Sequence, residues 1–190
     1  MSRTAQLDAR REQLLAVGKT VFSERAYDSV STEEIAAAAG ISVGLLYHYF
    51  ANKKGFYVAT IRAAAEELLR SIQFPPDKSL AASTIASLSC FLDFAEANAR
   101  LYIGLMRGGV GADAEVHAIL DDVRCTIVRR LLEAAETTAT PALQLRLHGW
   151  MGFVEAASLR WLTHREASRA DLLAMLLTAV PTDILAEARS

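Results

Sequence analysis

The chain reads as an all-α protein, and three observations carry that reading. Its 190 residues contain only 10 glycines and 4 prolines, too few breaks for a fold of many strands and turns. Alanine and leucine, which favour helices most strongly, are abundant. Apolar residues recur at helical spacing, as in Leu14, Leu15, Val17, Val21 and Phe22, rather than alternating as half-buried strands do. With 52% hydrophobic and 22% charged residues, the chain is not disordered and can bury a core without disulfide or metal staples.

Period and punctuation predict about nine helices. The first runs from Asp8 to about Arg25. Ser31 stands three residues before Glu34, the spacing of a capping box, and opens a second helix that Gly40 stops after Ala39. Ile41 fills the turn, Ser42 caps a third short helix through Phe50, and Asn52 opens a long fourth helix toward Gln73. Two short helices separated by Gly40-Ile41-Ser42 make a helix-turn-helix arrangement. Pro75 and Pro76 end the fourth helix. Further helices are expected at about 79–97, 99–107, 113–136 and 142–165, with a glycine-rich break at Gly108-Gly109-Val110-Gly111 and a loop from Thr137 to Pro141. Ser168, three residues before Asp171, caps a last helix that Pro181 kinks or ends.

The net charge of −2 is unevenly spread. Residues 1–62 carry eight Lys and Arg against six Asp and Glu, while residues 63–190 carry twelve against sixteen. The mildly basic first third permits phosphate contact. No apolar run approaches the ~20 residues of a bilayer span, and the first residues lack the apolar stretch of a secretory signal. Cys90 and Cys125 sit in helical patterns and read as reduced core residues, so a cytoplasmic protein with no membrane partner is expected. His117, His148 and His164 lie on separate stretches with no H-E-x-x-H or G-x-S-x-G context; no catalytic residue, metal or cofactor is expected.

The third helix is the most informative stretch. At about 100° per residue, Val43, Gly44, Tyr47 and His48 share one arc, and Leu45, Leu46, Tyr49 and Phe50 the opposite one. The second set suits packing on the first two helices, against Ile35, Val21 and Phe22. The first set has no Lys, Glu or Asp, an odd choice for a solvated face. A hydroxyl, an imidazole and bare backbone suit close approach to base edges and phosphates. Glycine in a helix costs ~1 kcal/mol relative to alanine, so Gly44 requires a reason such as close contact. A generic amphipathic helix with surface aromatics is the competing reading.

The run Ser31-Thr32-x-x-Ile35-Ala36-x-x-Ala39-Gly40-Ile41-Ser42-x-Gly44-x-Leu46-Tyr47-x-Tyr49-Phe50-x-Asn52-Lys53 resembles the DNA-binding domain of the tetracycline-repressor-like (TetR/AcrR) family of bacterial transcription regulators. The resemblance implies a DNA-binding domain at 8–56 and a helical effector-binding and dimerisation domain at 57–188. It further implies that Ser42, Val43 and Gly44 enter the major groove with Tyr47 at its edge, and that His48 and Tyr49 reach base or backbone. Thr32 would bond phosphate at the start of the second helix and Lys53 at the start of the fourth, although Lys53 and Lys54 also read as a solvated pair. Tyr49 is turned inward on the wheel, so it would bury its ring and extend only its hydroxyl. One departure is Ala26, where the family usually has glycine: in a left-handed conformation alanine would cost ~1 kcal/mol, and the turn before Tyr27 would close differently.

In the C-terminal part the resemblance implies an effector cavity, for which Cys90, Phe91, Phe94, Tyr102, Ile103, Met106, Trp150 and Phe153 are the candidates; ordinary core is the alternative for each. Arg100 and Arg107 share a face and either meet an anionic head group or stand solvated. The 142–165 helix has Leu147, Met151, Val154, Ser158, Trp161 and Leu162 along one side, with Gly149, Gly152 and Ala156 nearby. The last helix adds Leu172, Leu173, Met175, Leu176 and Leu177. That apolar width suggests a self-paired four-helix seam at Met151, Val154, Ser158, Trp161, Leu162, Leu173 and Leu176, or else one extra-wide monomer core.

Together these expectations describe a homodimeric regulator, a repressor that leaves a palindromic double-stranded DNA operator when a small hydrophobic or amphipathic effector binds, with the fourth helix respacing the two recognition helices. An architectural or nucleoid-associated DNA-binding protein without an effector is the rival, favoured by closed cores around Phe94 and Trp150. A small-molecule-binding or catalytic helical protein with a vestigial helix-turn-helix is the second, favoured by failure to bind DNA.

Overall fold

The computed structural model describes residues 3–107, 113–181 and 184. Among them nine α-helices form and no strand: α1 (Arg3–Glu24), α2 (Thr32–Ala38), α3 (Val43–Tyr49), α4 (Lys53–Ser71), α5 (Leu80–Ala97), α6 (Ala99–Arg107), α7 (Ala114–Ala134), α8 (Pro141–His164) and α9 (Arg169–Thr178). The main departures from expectation are α1, which begins at Arg3 rather than Asp8, and α4, which ends at Ser71, two residues short of Gln73. The expected break at Gly108-Gly109-Val110-Gly111 lies outside the described residues. The chain folds as two compact units, Met1–Ala65 with Asn98–Ile119, and Glu66–Ala97 with Leu120–Ser190.

The first unit is organised around aromatic rings. Phe22 from α1 meets Tyr57 from α4 edge-on at 4.9 Å, and Phe50 meets Phe56 at 4.9 Å and 71°. Ile35, Leu46 and Leu14 are fully buried beside them. Close approach of α1 to α4 depends on Gly18, where an added Cβ would stand 2.5 Å from Thr60 Oγ1 and 2.7 Å from Phe56 Cζ. On α6, Leu101 and Tyr102 are buried, and the Arg100 guanidinium donates to the Glu24 carbonyl at the end of α1. That contact closes a helix terminus whose last carbonyls lack helical partners.

The second unit is a bundle of α5, α7, α8 and α9 with the end of α4. Thr140 caps α8 by accepting from Leu143 N at 3.2 Å, with Pro141 as the first helical residue. Ser168 and Asp171 form the expected capping box on α9. Both tryptophan N–H groups are satisfied: Trp150 donates to Leu176 O at 3.1 Å and Trp161 to Ala167 O at 2.9 Å. Arg169 on α9 pairs with Asp93 on α5, and Arg124 on α7 grips Glu155 on α8 at 2.8 and 3.0 Å. Arg130 on α7 donates to the carbonyls of Leu69 and Ile72, the latter at 2.9 Å, and so closes the end of α4. Helix α5 is long and apolar enough to cross a membrane by length and composition. It nevertheless buries Leu80, Leu88, Phe91, Leu92 and Ala95 in the bundle, as a core helix must. The cysteines depart from expectation: Cys90 is half-buried and Cys125 exposed, and neither is bonded.

Candidate nucleic-acid interface

The helix-turn-helix is held by local hydrogen bonds that follow from its sequence. Ser31 Oγ accepts from Glu34 N at 3.1 Å, and Glu34 Oε2 accepts from Ser31 N at 2.7 Å. Arg25 adds an ion pair to Glu34 at 2.6 Å and a bond to the Ser29 carbonyl, fastening the Tyr27–Ser29 turn to α2. The Arg25 hydrogen bond, with those from Ser31, lowers the Glu34 carboxyl to about 2. Ala26 is extended, with φ −64° and ψ 147°, so the expected penalty for lacking a glycine there does not arise. The left-handed residue is instead Gly40, at φ +62°, which reverses the chain so that Ile41 N reaches Ala36 O at 3.0 Å. Ser42 then caps α3 by accepting from Leu45 N at 3.2 Å.

Helix α3 turns Leu46 into the core and exposes Gly44, Tyr47 and His48. An added Cβ at Gly44 would meet only Ser42 Oγ, at 4.0 Å, so no internal contact accounts for the glycine. Tyr47 is 44% exposed, and its hydroxyl donates to Thr32 Oγ1 at 3.4 Å, which braces α3 against the start of α2 and brings two predicted DNA contacts together. Tyr49 is half-buried and sets its ring edge-on to His48 at 5.6 Å and 83°. Leu45, expected to face inward, is 38% exposed beside Tyr47. A wheel drawn on seven residues does not fix so short a helix's edge positions, and Leu45 joins the candidate surface. Ser42 is exposed and Val43 half-buried, both at the open end of α3.

The two lysines opening α4 differ. Asn52 caps the helix by accepting from Gly55 N at 2.8 Å. Lys53 holds its ammonium 4.2 Å above the Tyr27 ring, a contact that places the charge without neutralising it. Lys54 pairs with Asp113 at 2.6 Å and Glu115 at 3.6 Å, and the Asp113 hydrogen bond raises its pKa. Lys54 is therefore not the solvated partner of Lys53 that adjacency suggested.

The candidate effector residues are divided between the two units. Tyr102 and Met106 belong to the first unit, while Cys90, Phe91, Phe94, Trp150 and Phe153 belong to the second. Phe91 and Trp150 line an apolar cavity of about 30 Å³ together with Ile72, Phe74, Leu131 and Met151. Phe153 is 38% exposed and does not line this cavity. Of the residues expected at a dimer seam, Met151, Val154, Ser158, Trp161, Leu162 and Leu176 are buried inside the protomer, and Leu173 is half-buried. The six buried residues are core, because α8 and α9 pack that side on their own bundle. The outward side of the same helices exposes Leu145, Phe153 and Met175, with Gly149 and Gly152 between them. Among the described residues no group of three or more His, Cys, Asp or Glu could hold a metal ion.

An exposed short helix, braced by a capped partner across a glycine turn in an all-α chain, defines a helix-turn-helix DNA-binding protein. The model of the bacterial regulatory proteins of the tetR family matches residues 14–60, and that of the tetracyclin repressor-like C-terminal domain matches residues 80–181; the chain belongs to the TetR family. It superposes on a TetR-family transcriptional regulator from Streptomyces coelicolor with TM-score 0.85 and 31% identity, over 96% of this chain and 87% of that one. The transcriptional activator FasR of Mycolicibacterium smegmatis is 31% identical over 101 residues, 50% of this chain and 44% of FasR. The transcriptional repressor KstR of Rhodococcus jostii is 26% identical over 183 residues, 93% of this chain and 86% of KstR. The alignment thus spans less than half the length of FasR.

Proposed function

We propose that the protein is a cytoplasmic, homodimeric repressor of transcription that reads a near-palindromic operator with α3 and releases it when a small hydrophobic or amphipathic effector enters the second unit. The observation that carries this reading is the outward face of α3, where Gly44 serves no internal contact and Tyr47 and His48 stand exposed beside it. KstR, the relative aligned over 93% of this chain, is a repressor, which supports that sign of regulation. A single recognition helix reads too few base pairs for useful specificity, so two copies are needed. The outward α8 and α9 face suits that pairing: an added Cβ at Gly149 or Gly152 would meet nothing within 4 Å, leaving room for a partner helix.

The effector reading rests on the largely apolar lining around Phe91 and Trp150, to which, among the described residues, Thr84 and Ser87 are the only hydroxyl-bearing contributors. At about 30 Å³ the cavity has room for little more than one water, so a ligand must part α5, α7 and α8 to enter. Because Ile72 and Phe74 at the end of α4 line it, such parting would act on α4, the helix whose residues are shared between the units. The same near-closure favours the second reading, an architectural DNA-binding protein with no effector. Selection of bound fragments from genomic DNA, then titration of hydrophobic compounds against the operator complex by anisotropy, decides between them. Coupling of ~1–3 kcal/mol predicts operator binding weakened roughly 5- to 150-fold, with operator weakening ligand binding equally. Compounds that bind without changing operator affinity would leave the architectural reading standing.

A further inference from the structure

We propose that the DNA-binding unit carries a ligand site of its own, a crevice that takes small aromatic carboxylates and shares no residue with the effector cavity. The crevice, about 390 Å³, opens between the end of α1, the Tyr27–Ser29 turn, α4 and α6, a size suited to a small molecule. Its aromatic wall is formed by Phe22, Tyr27 and Tyr57, with Tyr57 4.9 Å from each of the other rings. Flat rings stack or pack edge-on against such a wall.

Three independent features point to an occupant. Tyr57 is only 4% exposed, lines the crevice, and its hydroxyl meets no hydrogen-bond partner among the described residues. The hydroxyl is not sealed in the core; it is left open beside the crevice, where an incoming acceptor can receive its hydrogen bond. Burial raises this phenol to about 12, so it stays protonated and donates. Second, the guanidinium-bearing side chains of Arg25 and Arg100 line the crevice against the single carboxylate of Asp28, a balance that favours an anion. Arg25 is engaged by Glu34 and the Ser29 carbonyl, and Arg100 by the Glu24 carbonyl, yet each guanidinium has five donors and retains some to offer. Third, Gly104 lines the crevice from the interior of α6, and an added Cβ there would meet nothing within 4 Å. Glycine inside a helix is unfavourable by about 1 kcal/mol relative to alanine, and here its effect is to leave the crevice unfilled.

The test is titration of the full-length protein with sodium benzoate, with uncharged benzyl alcohol as the comparison, followed by the amide NMR spectrum and by calorimetry. Benzoate should bind saturably with a Kd of about a millimolar, as its few heavy atoms allow, and should shift the Gly104 amide. Tyr57→Phe keeps the ring and removes the donor, and should weaken binding roughly five- to tenfold. Gly104→Leu should fill the crevice and abolish binding while melting remains cooperative; should that variant fail to fold, Tyr57→Phe decides alone. The proposal is overturned by the absence of saturable binding below about 20 mM, by benzyl alcohol binding as tightly as benzoate, or by Tyr57→Phe retaining wild-type affinity.

Discussion

Gly44→Ala should stabilise the fold and weaken operator binding, because its two consequences fall on different sides of the same helix. Inside the protein the new methyl would meet nothing nearer than Ser42 Oγ at 4.0 Å. Replacing glycine by alanine in a helix then gains roughly 0.5–1 kcal/mol, which for a chain of this length raises the Tm by about 1–4 °C. Outside, the methyl stands where a base edge or phosphate must approach the backbone. Loss of one close contact at a specific site costs about 1–3 kcal/mol, or roughly 5- to 150-fold in affinity. Circular dichroism melts of the free protein read the first effect, and anisotropy with a labelled operator reads the second. A lowered Tm, or operator affinity kept within about twofold of wild type, would refute the reasoning that the glycine exists for the DNA.

The opposite sign is expected at Gly18→Ala, where the Cβ would lie 2.5 Å from Thr60 Oγ1 and 2.7 Å from the buried Phe56 ring; overpacking of about 1–3 kcal/mol exceeds the helical gain and lowers the Tm. Leu145→Asp combined with Met175→Asp should give folded monomers in sedimentation, whereas Trp161→Asp or Leu176→Asp should unfold the protein, since those side chains are core. The carboxyl of Glu34 titrates at about 2 in the fold against an ordinary 4.5, so its stabilising pairing is complete above pH 4.5 and fades as the pH falls toward 2. The Tm difference between wild type and Glu34→Gln should therefore be greatest above pH 4.5, shrink as the pH falls toward 2 and vanish only below it; a difference that does not shrink across that window would contradict the pairing.

Features written within a few residues were legible from the sequence. The boxes at Ser31 with Glu34 and at Ser168 with Asp171, the Ser42 and Asn52 caps and the glycine turn all stand where their spacing placed them, because each is a contact across one helical turn. Contacts across the fold were not. Nothing in the spacing of Arg25 and Glu34, or of Gly18, Phe56 and Thr60, announces that they touch. The seam was misread for a related reason: periodicity reports how wide an apolar face is, not what covers it. Met151, Val154 and Leu176 are covered by their own bundle, while on the polar side of α8 the exposed Leu145 was passed over and the exposed Phe153 was assigned to the effector cavity.

The hold of Arg130 on the Leu69 and Ile72 carbonyls has a mechanical consequence. Free helix ends fray, and a frayed end absorbs displacement as local melting. With both carbonyls clamped just ahead of Pro75 and Pro76, the last turn of α4 behaves as a pinned joint: a push on Ile72 or Phe74 is delivered as rotation or translation of a stiff rod instead of being lost in its final turn. Loosening that pin with Arg130→Ala would leave α3 and its surface chemically intact and make the rod slack.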